Sequence, residues 1–149
     1  MTKLLKKSAG ILLLFLLIVP SSCKKYDDGP WFSIYSKTER VTGNWRFSLV
    51  REDGEDLTEE YANNTVNIQK GGNLYWAQGY IGNNPWDTYG PGGEWRFVND
   101  KNQLEMHFTS GVKEEFTLTW DIKRLAYGDL RLERHEDGKK IEWRMWSAY

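Results

Sequence analysis

The chain has 149 residues, with 20 basic and 21 acidic side chains and a net charge of −1. Eight Trp, eight Tyr and six Phe make it too aromatic for a disordered polymer, and 28% charged residues make it too polar for a polytopic membrane protein. Near-balanced charge argues against a nucleic-acid partner, and a single cysteine leaves no disulfide framework, no Cys-based zinc site and no dithiol pair.

The first predicted element is a secretory leader over residues 1–22. Lys3, Lys6 and Lys7 precede an unbroken apolar run over residues 11–19, too short to span a bilayer. Removing those lysines with the leader leaves 17 basic against 21 acidic residues, a charge of −4. The run ends in Pro20-Ser21-Ser22-Cys23, which resembles the lipobox of bacterial lipoproteins. That resemblance implies acyl chains such as palmitate on Cys23 and attachment to a membrane without crossing it. Residues 23–29 form the lipidated start and tether. The Lys24-Lys25-Tyr26-Asp27-Asp28 stretch reads equally as a solvated linker or as the surface-export signal of Bacteroidetes lipoproteins. The expected place is therefore the outer membrane, on its periplasmic or its cell-surface face.

Residues 30–149 are expected to form one domain. Pro30 suits a first helical position, and a helix over residues 31–38 puts Trp31, Ile34, Tyr35 and Thr38 on one face. From Val41 the apolar period becomes two. Eight alternating runs follow, among them Trp45, Phe47 and Leu49; Leu74 and Trp76; Trp95 and Phe97; Phe116, Leu118, Trp120 and Ile122; Leu130 and Leu132; and Ile141, Trp143 and Met145. Each has one wet and one dry face. Most breaks are short turn signals such as Glu136-Asp137-Gly138-Lys139, while Leu57 to Tyr61 reads as a helical turn. The third connection is longest, from Tyr80 to Gly93, and carries Asn83, Asn84, Trp86, Asp87 and Tyr89. Eight one-sided strands need closure to hide their edges. The predicted fold is all-β: an eight-stranded antiparallel up-and-down barrel with a short N-terminal helix over one end.

Gly43-Asn44-Trp45 at the start of the first run resembles the Gly-x-Trp motif that opens the lipocalin barrel. With the helix before it and the lipoprotein leader, the chain is similar to the lipocalin-like lipoproteins of Bacteroidetes. The resemblance implies that Trp45 closes the barrel floor and that an Arg on the last strand packs against it. Arg144 is the candidate, and an outward-facing Arg144 alternating with Trp143 and Met145 is the other reading.

Acid-base and metal chemistry find little support. His107 and His135 lie on different runs without ligand-spaced partners, and Glu59-Glu60 and Glu114-Glu115 are adjacent in sequence. Gly71-Gly72 sits in a hairpin rather than before a helix. No cofactor, no metal and no enzymatic activity are expected. Ligand binding is assigned to Tyr80, Trp86 and Tyr89, with Trp76 and Trp95 as the wall beneath them, at the end away from the helix. Two functions stand open: a binder of a small apolar or amphipathic ligand, or a noncatalytic interaction module with a filled barrel that meets a glycan or an outer-membrane protein through the Trp86 loop. The expected state is a monomer.

Overall fold

The structure, a computed structural model, describes residues 33–78 and 90–147. The leader, Cys23, its tether, Trp31 and the third-connection residues Tyr80, Trp86 and Tyr89 lie outside the described residues. The first described element is a helix, α1 (Lys37–Val41). Nine strands follow: β1 (Gly43–Glu52), β2 (Glu55–Asp56), β3 (Asn64–Ile68), β4 (Asn73–Gln78), β5 (Gly92–Val98), β6 (Gln103–Ser110), β7 (Phe116–Ala126), β8 (Asp129–Glu136) and β9 (Lys139–Ser147). A one-turn helix, α2 (Thr58–Tyr61), lies between β2 and β3.

The strand order is β2-β1-β3-β4-β5-β6-β7-β8-β9, and β1 also pairs with β9. Because β2 touches only Arg51 and Glu52 of β1, it is a flap. The other eight strands close into an up-and-down, lipocalin-like antiparallel barrel, as the alternating runs predict. Its seam joins Trp45 to Ser147 at one end and Glu52 to Ile141 at the other. Asp137 and Gly138 both take positive φ, 50° and 79°, as a tight two-residue hairpin between β8 and β9 requires.

The helix lies further along the chain than predicted. Residues 33–35 are not helical, Ile34 is 79% exposed, and Tyr35 stacks on Tyr127 with ring centroids 4.9 Å apart. A capping box decides the start. Ser36 Oγ accepts from the Glu39 amide at 3.2 Å, and Glu39 Oε2 accepts from the Ser36 amide at 2.8 Å. Those two bonds satisfy free donors of the first turn, an advantage the apolar spacing from Trp31 does not offer. Only Val41 of this helix is buried.

The core contains Trp45, Trp95, Trp120 and Trp143 together with other apolar side chains of every barrel strand except β5, which gives Trp95 alone. Strict alternation fails at two places. A register shift between Phe47 and Leu49 turns Val50 inward at 2% exposure and leaves Leu49, expected inside, half-buried. A second shift, between Ile122 and Arg124, brings Leu125 into the core. Each is the effect of one extra residue in a strand, which flips every later side chain.

Candidate functional site

The two ends of the barrel differ. At the α1 end the Trp45 indole is wholly buried and its Nε1 donates to the Val41 carbonyl at 2.8 Å, satisfying a helix-terminal acceptor. Gly43 takes φ 150°, a value that side-chain-bearing residues rarely adopt. The Gly-x-Trp pair thus joins helix to floor. Arg40 Nη1 donates to the Leu125 carbonyl at 2.6 Å and ties the helix to β7.

Arg144 is not part of this floor. It is exposed on β9, with Arg131 as its Cα partner on β8, and lines a shallow outer-wall cavity of about 150 Å³ with Lys123, Glu133 and Glu142. Alternation explains it: Trp143 and Met145 point inward, so the residue between them points out. On the same wall Lys140 reaches Glu133 at 3.0 Å and Glu142 at 2.9 Å. Its bond to Glu142, then that to Glu133, raises the Lys140 pKa above its ordinary value. Lys140 in turn lowers that of Glu142.

Trp95 also departs from the predicted wall. Its Nε1 donates to the Gln69 carbonyl at 2.7 Å and its amide donates to Gly72 at 2.8 Å. Those contacts place it beside the β3–β4 turn, at the α1 end.

The opposite end receives α2, the β6–β7 connection and the Asp137-Gly138 hairpin. Here a belt of rings runs across the barrel. Trp143 meets Trp76 edge-on at 5.2 Å, Phe47 edge-on at 5.0 Å and Trp120 at 4.0 Å. Tyr61 lies 5.4 Å from Phe47 and 6.3 Å from Trp76, whose ring is 6.1 Å from Phe108, and Phe108 stacks on Phe116 at 4.9 Å. Contact distances of this kind fill the mid-barrel with side chains, and coverage loosens toward the rim. There Tyr61, Trp76, Leu118 and Ile141 are half-buried, and Phe116 is 39% exposed.

The chain after the third connection is pressed against this belt. A Cβ on Gly90 would lie 1.6 Å from the Trp76 carbonyl oxygen, and one on Gly93 would lie 1.8 Å from that of His107. Gly92 and Gly93, read from sequence as part of the connection, are the first residues of β5.

One residue at the rim was not foreseen. Arg134 has the parity of Leu130 and Leu132, which are buried. Its side chain is only 17% exposed, and its guanidinium lies 5.0 Å over the Trp120 ring. Arg134 Nη2 is 2.7 Å from Glu136 Oε2, while Arg134 Nε, Trp120 Nε1 and Trp76 Nε1 are buried without a hydrogen-bond partner among the described residues. The signal was present in Leu130-Arg131-Leu132-Glu133-Arg134, where every second residue shares a face.

No protein-family model and no curated protein matches this chain. The histidines stand outside the rim: His107 Nδ1 is 2.9 Å from Thr117 Oγ1 on the outer face, and His135 is 3.5 Å from Glu133. Among the described residues no three His, Cys, Asp or Glu side chains gather as a metal site.

Proposed function

We propose that this chain is a noncatalytic binding lipoprotein of the lipocalin-like kind found in Bacteroidetes. In this reading it is exported, lipidated at Cys23 and held at the outer membrane, and it takes a small apolar or amphipathic ligand at the barrel end opposite α1. The observation that carries the binding site is the contrast between ends. The α1 end is sealed by the buried Trp45, whereas the other presents half-buried Tyr61, Trp76, Leu118 and Ile141 beside buried donors that have no partner among the described residues. Partly covered rings with unspent donors suit a ligand that has both an apolar body and a polar group.

Titration of the full-length protein with a fluorescent fatty-acyl probe tests the site. Binding should quench tryptophan emission, and Trp76→Ala should weaken it at least several-fold; an unchanged affinity removes the rim from the reading. Membrane fractionation of Cys23→Ala tests the anchor, since that variant should become soluble or keep its leader. Normal attachment of the processed variant refutes lipidation.

The filled mid-barrel favours a second reading, in which the same end docks an outer-membrane protein or a glycan. It predicts no probe binding and a copurifying partner that Trp76→Ala releases.

A further inference from the structure

We infer that the α1 end of the barrel is a docking face for an anionic lipid surface, in which Ile34, Tyr35, Tyr127 and Trp146 enter the headgroup boundary and a row of arginines meets the phosphates; this inference rests on the lipidated-anchor reading above. Six large apolar side chains are exposed among the described residues, and these four, between 43% and 79% exposed, gather at that end. Tyr35 stacks on Tyr127, which lies in the β7–β8 turn. The Ser147 amide donates to the Gly128 carbonyl at 3.2 Å, which sets Trp146 beside the same turn, opposite Asp129. Arg46 lies 5.8 Å over the Trp146 ring. Tyrosine and tryptophan, apolar in body and polar at the tip, are favoured at a bilayer boundary.

The wall behind the rings carries the complementary charge. Arg124, Arg131 and Arg144 stand opposite one another across β7, β8 and β9, and like charges so placed destabilise a sheet. Asp129 compensates Arg124 and, at 3.4 Å, Arg131. Arg144 is exposed and makes no ion pair among the described residues. Glu133 and Glu142, the acids of the next row, hold Lys140 at 3.0 and 2.9 Å. The arginine row lies two residues inboard of the row formed by Asp129, Trp146 and Arg46, about 6–7 Å along a strand. An apolar face enters a membrane by about 5–10 Å, so rings at that depth leave the guanidiniums level with the phosphates. A phosphate accepts two parallel N–H bonds from one arginine.

The tether selects a lipid surface as the occupant. Cys23 precedes Ser33, the first described residue, by ten residues, at most about 35 Å of chain. An acyl anchor on Cys23 therefore holds the α1 end beside the bilayer, and the far end stands up to the length of β1 beyond it, about 33 Å for ten residues. Once the anchor is in place the face meets the membrane at high effective concentration. The opposite rim then faces away from the lipid.

The test uses the full-length lipidated protein reconstituted in vesicles of phosphatidylethanolamine and phosphatidylglycerol. Cys23 is the only cysteine and its thiol carries lipid, so a fluorophore on Tyr127→Cys, or on Glu114→Cys in the exposed β6–β7 connection of the far end, labels one place. Nitroxide-bearing acyl chains should remove at least about half of the Tyr127→Cys emission, as expected of a group within the acyl boundary, and little of the Glu114→Cys emission. Arg46→Gln combined with Arg144→Gln should restore most of the lost emission, as should vesicles of phosphatidylcholine alone. If the protein floats with the vesicles but the Tyr127→Cys label is quenched no more than the Glu114→Cys label, the docking face is overturned, the anchor reading stands, and the rings are left to a protein partner. Quenching unchanged by the arginine variant and by phosphatidylcholine overturns the phosphate contacts and the proposal with them. A native protein that does not float removes the anchor reading, and the inference with it. If Tyr127→Cys does not fold, Trp146→Cys gives the same comparison from β9.

Discussion

Trp45 offers the sharpest test of how the barrel is held together, because its ring and its nitrogen do separate work. The side chain is fully buried, so Trp45→Ala removes a large ring from a packed interior and should cost about 3–5 kcal/mol. Trp45→Phe keeps most of the ring but removes the donor from the Val41 carbonyl. An acceptor left unpaired in the core costs about 1–3 kcal/mol, which sets the size of the second effect. With a urea slope of about 2 kcal/mol/M, the midpoint should fall by about 2 M for Ala and about 1 M for Phe. Far-UV circular dichroism is the suitable probe, since removing a tryptophan alters the fluorescence baseline. The slope itself should not change. A loss below about 1 kcal/mol for Trp45→Ala refutes the buried floor, since exposed positions rarely cost more. If Ala costs the full amount and Phe costs nothing, the ring packs as described but the indole–carbonyl bond adds no stability.

Three further outcomes follow from the same geometry. Arg134→Met should change unfolding free energy by less than about 1 kcal/mol, because losing a rim ion pair and a cation–π contact is offset by removing a partnerless buried donor; a loss of 3 kcal/mol or more in urea melts would make Arg134 a structural residue. Gly93→Ala should destabilise by at least about 1–3 kcal/mol, since the new methyl meets the backbone of His107 and Phe108 and nothing there can rotate away; thermal melts matching the native protein would refute that packing. The Glu39 carboxyl should titrate below the ordinary glutamate value of 4.5, because the Ser36 hydroxyl and then its amide favour the charged form. Its stabilising contribution is present above 4.5 and is lost as pH falls through the lowered pKa. A normal NMR titration of Glu39 in the native protein, or no upward shift in Ser36→Ala, would rule out the capping box.

Much of this was legible because a one-sided strand states its own geometry. Leu104, Met106 and Phe108 alternate with polar residues, and all three are buried. Alternation misleads where the register slips: it points Leu49 inward, whereas Val50 is the buried residue. The apolar spacing from Trp31 predicts the helix too early, because Ser36 and Glu39 satisfy backbone groups at a later start. Arg144 points outward, the reading its alternation with Trp143 and Met145 gives beside the floor role that the resemblance implies. Arg134 was missed because arginine in a strand is read as outward by default, although its parity with Leu132 placed it inside. Trp95 needed tertiary knowledge, since only the folded β3–β4 turn brings the Gln69 carbonyl to its nitrogen.

The β1–β9 seam has a consequence for the order in which the molecule forms. Its two strands stand at opposite ends of the described chain, yet they share a ladder from Trp45–Ser147 to Glu52–Ile141. Every other pairing in the barrel joins sequence neighbours or near neighbours and can form while later residues are still being made. The seam cannot. Until β9 arrives, β1 and β8 each present a bare edge that invites pairing with another chain. Closing so long a loop is the step with the greatest entropic cost and the slowest rate. A nascent barrel therefore stays open along this seam until β9 has been made. Premature termination before Lys139 should yield aggregates rather than a smaller barrel.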